Sequence, residues 1–230
     1  VSERESAGAR TREGASEGEH DGETLTQQQR AFADALLASG AVRFGAFRVK
    51  LHEKQPDAPL SPIYVDLRVL QSYPDAMDAM VAALAELIEV RGLRFDRYAG
   101  IPMAATPLVA ILSHQTRIPM ITPREPKTHG LTSTIDGAFT PGETALAIDD
   151  VVTHADSKLE AIRTLEANGL VVRDVAVLVD REQGGPEQLA AAGYTLHAAT
   201  RLSQLLGHWR TAGGIDAATY ERVRAYTAGA

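Results

Sequence analysis

Cysteine is absent from this chain of 230 residues, which excludes disulfides, thiolate nucleophiles and cysteine-ligated metals. No apolar run approaches the ~20 residues that span a bilayer, so no membrane partner is expected. The first residues hold no apolar signal core, and a cytoplasmic location is the default expectation. A basic excess is missing too. Lys and Arg number 23 against 30 Asp and Glu, a net charge of −7, which argues against nucleic acid as a partner. That balance does not exclude a small phosphorylated ligand, because backbone amides and a few cations hold an anion even on an acidic protein. What is present, 44% hydrophobic and 23% charged residues, is ordinary for a globular protein with one sizeable core.

Residues 1–24 (VSERESAGARTREGASEGEHDGET) contain one valine among Ala, Gly and polar residues. Such a segment buries too little apolar surface to offset its ordering entropy, so a disordered tail is expected there. The fold is expected to begin at Thr26, which has capping-box spacing with Gln29 ahead of Phe32, Leu36 and Leu37. Extended stretches are predicted over 42–50 and 63–68, separated by the polar loop HEKQPDAP at 52–59. A helix is predicted from Pro74 to Arg91, stopped by Gly92. Short strands then alternate with helices. Strands are expected at 98–99, 119–122, 145–148, 175–179 and 194–198, and helices near 106–114, 156–168 and 186–192, the second with Leu159, Ile162 and Leu165 on one face. Two further helices are expected in the last thirty residues. The rhythm predicts an α/β fold with a mostly parallel sheet flanked by helices.

The most informative stretch is GETALAIDDVVTHADS (142–157). Its apolar residues read as a short buried strand, with Asp149 and Asp150 where the strand is expected to leave the sheet. Ligands of open α/β sheets bind beyond the carboxyl ends of strands. A turn of small and hydroxyl residues then enters the helix at 156, whose first amides and dipole favour an anion. Two carboxylates beside an anion-binding turn suit a ligand with neighbouring hydroxyls next to a phosphate. The same residues are also ordinary strand-to-helix turn residues.

Five segments, in order, are similar to the orotate phosphoribosyltransferase family, and together they cover most of residues 40–185. AIDDVVTHADS resembles its phosphoribosyl-pyrophosphate (PRPP) motif. RFGAFRVK with SPIYVDLR (61–68) resembles its N-terminal lysine and the segment that follows. GIPMAATPLVA (100–110) resembles the loop and helix after its first core strand. REPKTHG (124–130) resembles its catalytic loop, and VLVDREQGG (177–185) its base-contacting segment. The resemblance implies a type I phosphoribosyltransferase fold with a small N-terminal hood. The hood would be mainly residues 25–70, the core about 71–200, and the C-terminal helices 201–230.

It also implies roles. Lys50, Arg124 and Lys127 would face pyrophosphate, and His129 would close the catalytic loop and donate a proton. Asp149 and Asp150 would hold the ribose hydroxyls, Asp149 together with Lys127 and His129 forming the catalytic set. Thr153, His154, Ala155, Asp156 and Ser157 would line the 5-phosphate site. Arg181, with Thr153, would meet the base, a guanidinium matching the orotate carboxylate bidentately. Mg²⁺ would arrive with pyrophosphate, held mainly by substrate oxygens and water. A homodimer with sites shared between subunits is implied as well.

Several positions depart from the family pattern. Ala155 stands where glycine supplies positive φ, and Asp156 where a hydroxyl residue meets the phosphate. Two like charges ~4 Å apart repel by roughly 4 kcal/mol at an effective dielectric near 20, a cost that Lys158 or His154 would offset. Pro123 replaces an arginine, Met103 a frequent tyrosine, and Leu51-His52 a Ser-Gly pair. Three readings stay open: an orotate phosphoribosyltransferase, a related transferase or phosphoribohydrolase acting on another carboxylated heterocycle, and a catalytically silent protein that binds a nucleotide or PRPP.

Overall fold

Thr26 opens the first helix as its residue type dictates. Its hydroxyl accepts from the Gln29 amide and the Gln29 side chain accepts from the Thr26 amide, at 3.2 and 2.8 Å. The computed structural model describes residues 24–49, 52, 55–124 and 133–229. The tail expected over residues 1–24 therefore lies outside the described residues but for Thr24. Leu25 is buried in the core, one residue before the expected start of the fold.

Helix α1 (Gln27–Ala38) leads into β1 (Val42–Phe47), which pairs antiparallel with β2 (Ser61–Val65) in a two-stranded sheet. The alternation at 63–68 predicts strand through Arg68. Instead the chain turns into a 3-10 helix, Leu67–Ser72, because the Asp66 side chain accepts from the Arg68 amide and caps it. The loop between β1 and β2 is fastened by buried His52, whose ring nitrogens meet the Val49 amide at 3.0 Å and the Ala58 carbonyl at 3.1 Å.

The main sheet follows in order β5-β4-β3-β6-β7-β8. Its members are β3 (Arg97–Gly100), β4 (Met120–Pro123), β5 (Ile135–Asp136), β6 (Thr144–Val152), β7 (Val171–Asp180) and β8 (Thr195–Arg201). All pair in parallel except β4 with β5. The helices are α2 (Pro74–Val90), α3 (Ala105–Thr116), α4 (Asp156–Ala167), α5 (Gly185–Ala191), α6 (Leu202–Thr211) and α7 (Ala217–Ala228). The period of two sorts the strands between two cores. Tyr98, Leu146, Ile148, Ala176 and Leu178 face one, while Ala99, Ala147, Val175 and Val177 face the other, against α4 and α5.

The N-terminal elements carry their own two-stranded sheet and pack into the main core. Phe32, Leu36, Ile63 and Leu67 share one core with Leu205, Leu206 and Trp209. The Trp209 indole N–H donates to the Ala33 carbonyl at 2.8 Å. No helix among the described residues is long and apolar enough to cross a membrane.

Candidate functional site

Strand β6 is longer than its sequence promises. Pairing with β7 continues through Asp149↔Val177 and Val152↔Asp180, so the acidic pair lies inside the sheet's last rungs and not beyond them. The cause is β7, whose apolar run supplies a parallel partner as far as Val152. The turn at 153–155 then enters α4 directly.

Within this turn Ala155 has φ −90° and ψ 0°. The expected need for glycine does not arise, since this backbone is open to any residue. The Ala155 methyl is fully buried. Its amide donates to the Gln188 side chain of α5 at 2.7 Å, so one donor expected to face a phosphate is already satisfied. Thr153 is half-buried, while His154, Asp156 and Ser157 are exposed. Asp156 occupies the first turn of α4, where the helix dipole favours its charge.

Lys158 does not offset Asp156. It is buried, and its ammonium lies 2.7 Å from Asp149 Oδ2 and donates to the Val151 carbonyl at 2.6 Å. Sequence reasoning overlooks it by taking Leu159, Ile162 and Leu165 as the inner face of α4. Lys158 is four residues before Ile162 and seven before Leu165, the spacing of one helical stripe, and all three are buried while Leu159 is only partly so. The signal is there in the periodicity, masked by the residue type.

Asp149 is itself buried, and its Oδ1 accepts from the Asp150 amide at 2.9 Å. Asp150 is half-buried and accepts from the Val151 amide at 2.8 Å. Burial, reinforced by the neighbouring Asp149 carboxylate, pushes the Asp150 carboxyl up to about 7. Arg68, held by Asp66 through a bond of 2.7 Å, feels the Asp150 charge from the 3-10 helix.

Strand β7 ends beside this turn. The Arg181 amide donates to the Val152 carbonyl at 2.9 Å, and the Arg181 side chain is 8% exposed. Its Nε is buried with no hydrogen-bond partner, and among the described residues it makes no ion pair. Burial lowers its pKa, opposed by the nearby Tyr226. Neither neighbouring acid, Asp180 or Glu182, pairs with Arg181 among the described residues. Asp180 instead accepts from the Glu182 amide at 2.8 Å, and Glu182 accepts from the Ser203 amide and hydroxyl at 2.7 and 2.9 Å. The two glycines of DREQGG have distinct reasons. Gly184 has φ +89°, and a Cβ on Gly185 would collide with the Val152 side chain, so the close approach of α5 to the acidic turn requires glycine.

The turns after β6 and β7 open on one cavity of about 670 Å³, lined by His154 and Gln183 together with Gln55, Pro59 and Tyr226. That volume holds a nucleotide-sized ligand. Arg124, at the end of β4, is paired with Asp136 at 2.7 Å. Lys50, Lys127 and His129 lie outside the described residues.

No family model matches the chain. Bovine uridine 5'-monophosphate synthase is 38% identical over 205 residues, covering 85% of this chain and 42% of that protein. Orotate phosphoribosyltransferase of Thermococcus gammatolerans is 34% identical over 182 residues, covering 79% of this chain and 93% of that protein. Among solved structures, Leishmania donovani UMP synthase matches with a TM-score of 0.77 and 36% identity, over 88% of this chain and 42% of that one. The chain thus spans about two fifths of the synthases it matches and nearly all of the Thermococcus protein.

Proposed function

The chain belongs to the orotate phosphoribosyltransferase family, and from that premise we propose that it joins orotate to PRPP, releasing pyrophosphate and forming orotidine 5'-phosphate. A base nitrogen bonds to C1 of the ribose as the bond from C1 to the pyrophosphate oxygen breaks. The transition state resembles an oxocarbenium ion, so no protein nucleophile is required. The work left to the protein is positioning and charge stabilisation. The observation that carries this reading is the Arg181 Nε, buried without a hydrogen-bond partner at the strand end adjoining the acidic turn. A buried donor without a partner is costly, and a planar carboxylate ligand supplies the missing bond.

In this reading Arg181 meets the orotate carboxylate and Asp150 accepts from the ribose hydroxyls. The N-terminus of α4 receives the 5-phosphate, and Arg124, Lys50, Lys127 and His129 face the pyrophosphate. Among the described residues no three His, Asp or Glu side chains cluster as a metal site. In this reading a Mg²⁺ would come with pyrophosphate and keep substrate oxygens and water around it. When bound, the ion neutralises leaving-group charge. The test is Mg²⁺-dependent loss of orotate with PRPP, alongside calorimetry with each ligand alone and sedimentation equilibrium for the twofold dimer that the family resemblance implies. Orotidine 5'-phosphate and pyrophosphate are expected in equal amounts. Binding of both ligands without turnover would instead make the chain a silent binding protein.

The exposed Asp156 gives a second measurable outcome. Asp156→Ser removes a carboxylate from the phosphate end, and PRPP affinity is expected to rise ten-fold or more, ~1.4 kcal/mol. Ala155→Gly is expected to add no affinity, because the backbone there has no positive φ. An unchanged dissociation constant for Asp156→Ser in calorimetry would place the phosphate away from this helix end.

A further inference from the structure

The charges buried at the end of β6 are divided unequally. Lys158 reaches Asp149 from the first turn of α4, with the two side chains 6% and 10% exposed. Its second bond, to the Val151 carbonyl, ties the ammonium to the strand as well as to the carboxylate. Asp149 is bonded on both oxygens, to Lys158 through Oδ2 and to the Asp150 amide through Oδ1. Asp150 makes no ion pair of its own among the described residues, and it is the more exposed of the two.

Asp149 already gives each oxygen to a partner and its side chain is only 10% exposed. Substrate hydroxyls therefore reach it only by opening the site, and any shift that parts it from Lys158 leaves a buried ammonium unmatched, which is expensive. Taking Asp150 disturbs only local hydrogen bonds to the backbone and to its neighbour. The difference in cost decides which carboxylate can serve. We propose that Lys158 is a positioning residue that holds Asp149 at the junction of strand and helix and leaves Asp150 as the carboxylate that meets the ribose. This rests on the transferase reading for its ligand, and on the ion pair alone for its structural half.

Four variants test it: Lys158→Met, Asp149→Asn, their combination, and Asp150→Asn. Urea midpoints, ribose 5-phosphate affinity by calorimetry, and KM and kcat with PRPP are the readouts. Lys158→Met and Asp149→Asn are each expected to lower the midpoint, because each strands one buried partner, and the combination is expected to restore most of it. The folded double variant should keep its ribose 5-phosphate affinity and its KM for PRPP within threefold of the parent. Asp150→Asn should weaken both at least tenfold with no loss of midpoint. A stable double variant weakened tenfold or more would put Asp149 on the ribose and overturn the assignment. An unchanged midpoint for Lys158→Met would remove the ion pair itself. If the parent binds neither ribose 5-phosphate nor PRPP, the transferase reading fails, and the midpoints still decide whether Lys158 holds Asp149.

Discussion

Replacing Arg181 with methionine is expected to make the ligand-free protein more stable and the liganded site nearly useless. Two opposite effects come from one buried group. Arg181 is 8% exposed, its buried Nε lacks a partner, and burial depresses its pKa. Each of these marks a charge kept from water without full compensation. Methionine fills similar volume without charge, and removing such an unsatisfied group gains about 1–3 kcal/mol. With orotate present, the same change removes a charge-assisted pair at a desolvated carboxylate, costing roughly 2–4 kcal/mol, or about 30- to 1000-fold in affinity. Urea denaturation and calorimetry with orotate measure the two sides independently. A variant that loses stability while binding orotate normally would make Arg181 a brace for the end of β7, and the base-site assignment would fall with it.

The sequence is most legible where short-range chemistry decides the structure. The capping box at Thr26, the proline-led helix at 74 and the helix stop at Gly92 need only neighbouring residues, and each appears as expected. The β-α-β rhythm likewise announces a mostly parallel sheet, because buried strands flanked by amphipathic helices have few other ways to pack. Boundaries fail where a distant partner decides. Strand β6 runs to Val152 because β7 pairs with it that far, and nothing local to 149–152 says so. The two-residue strand β5 exists only through β4.

The site is legible in outline and not in its internal wiring. The family resemblance implies that the acidic turn and DREQGG meet, and the Val152–Arg181 backbone bond joins them. Their side-chain partners come from elsewhere. Gln188 reaches Ala155 across 33 positions of the chain, a contact that exists only because Gly185 lets α5 approach Val152. Lys158 is the instructive case. A lysine on a helix reads as solvated, since such residues are almost never fully buried unless paired. The pairing that overrides this expectation joins two elements, strand and helix, and no one-dimensional pattern shows which acid will be in reach.

The acidic pair also leaves a mark on stability that depends on pH. Asp150 titrates at about 7 in the folded chain, against about 3.9 for an unfolded aspartate. Between those values the folded state holds a proton that the unfolded state has released. Stability therefore falls as pH rises from about 4 to about 7 on account of this group, and the deficit is constant above that. Its full size is about 4 kcal/mol for a shift of this extent. Asparagine at 150 keeps the shape and an oxygen for the Val151 amide, and it has no proton to lose. Asp150→Asn is thus expected to match the parent near pH 3 and to exceed it by roughly 2–4 kcal/mol at pH 8. Other groups, such as Asp66 beside Arg68 and Glu143 beside Arg97, titrate below the ordinary carboxylate range, but they are common to both proteins and cancel in the comparison. Urea midpoints at half-unit pH steps give the difference directly. A difference that is flat with pH, or that runs the other way, would mean that Asp150 is ionised in the folded protein at neutral pH. The carboxylate presented to the ribose would then carry a full charge before substrate arrives, with Lys158 the cation whose charge favours it.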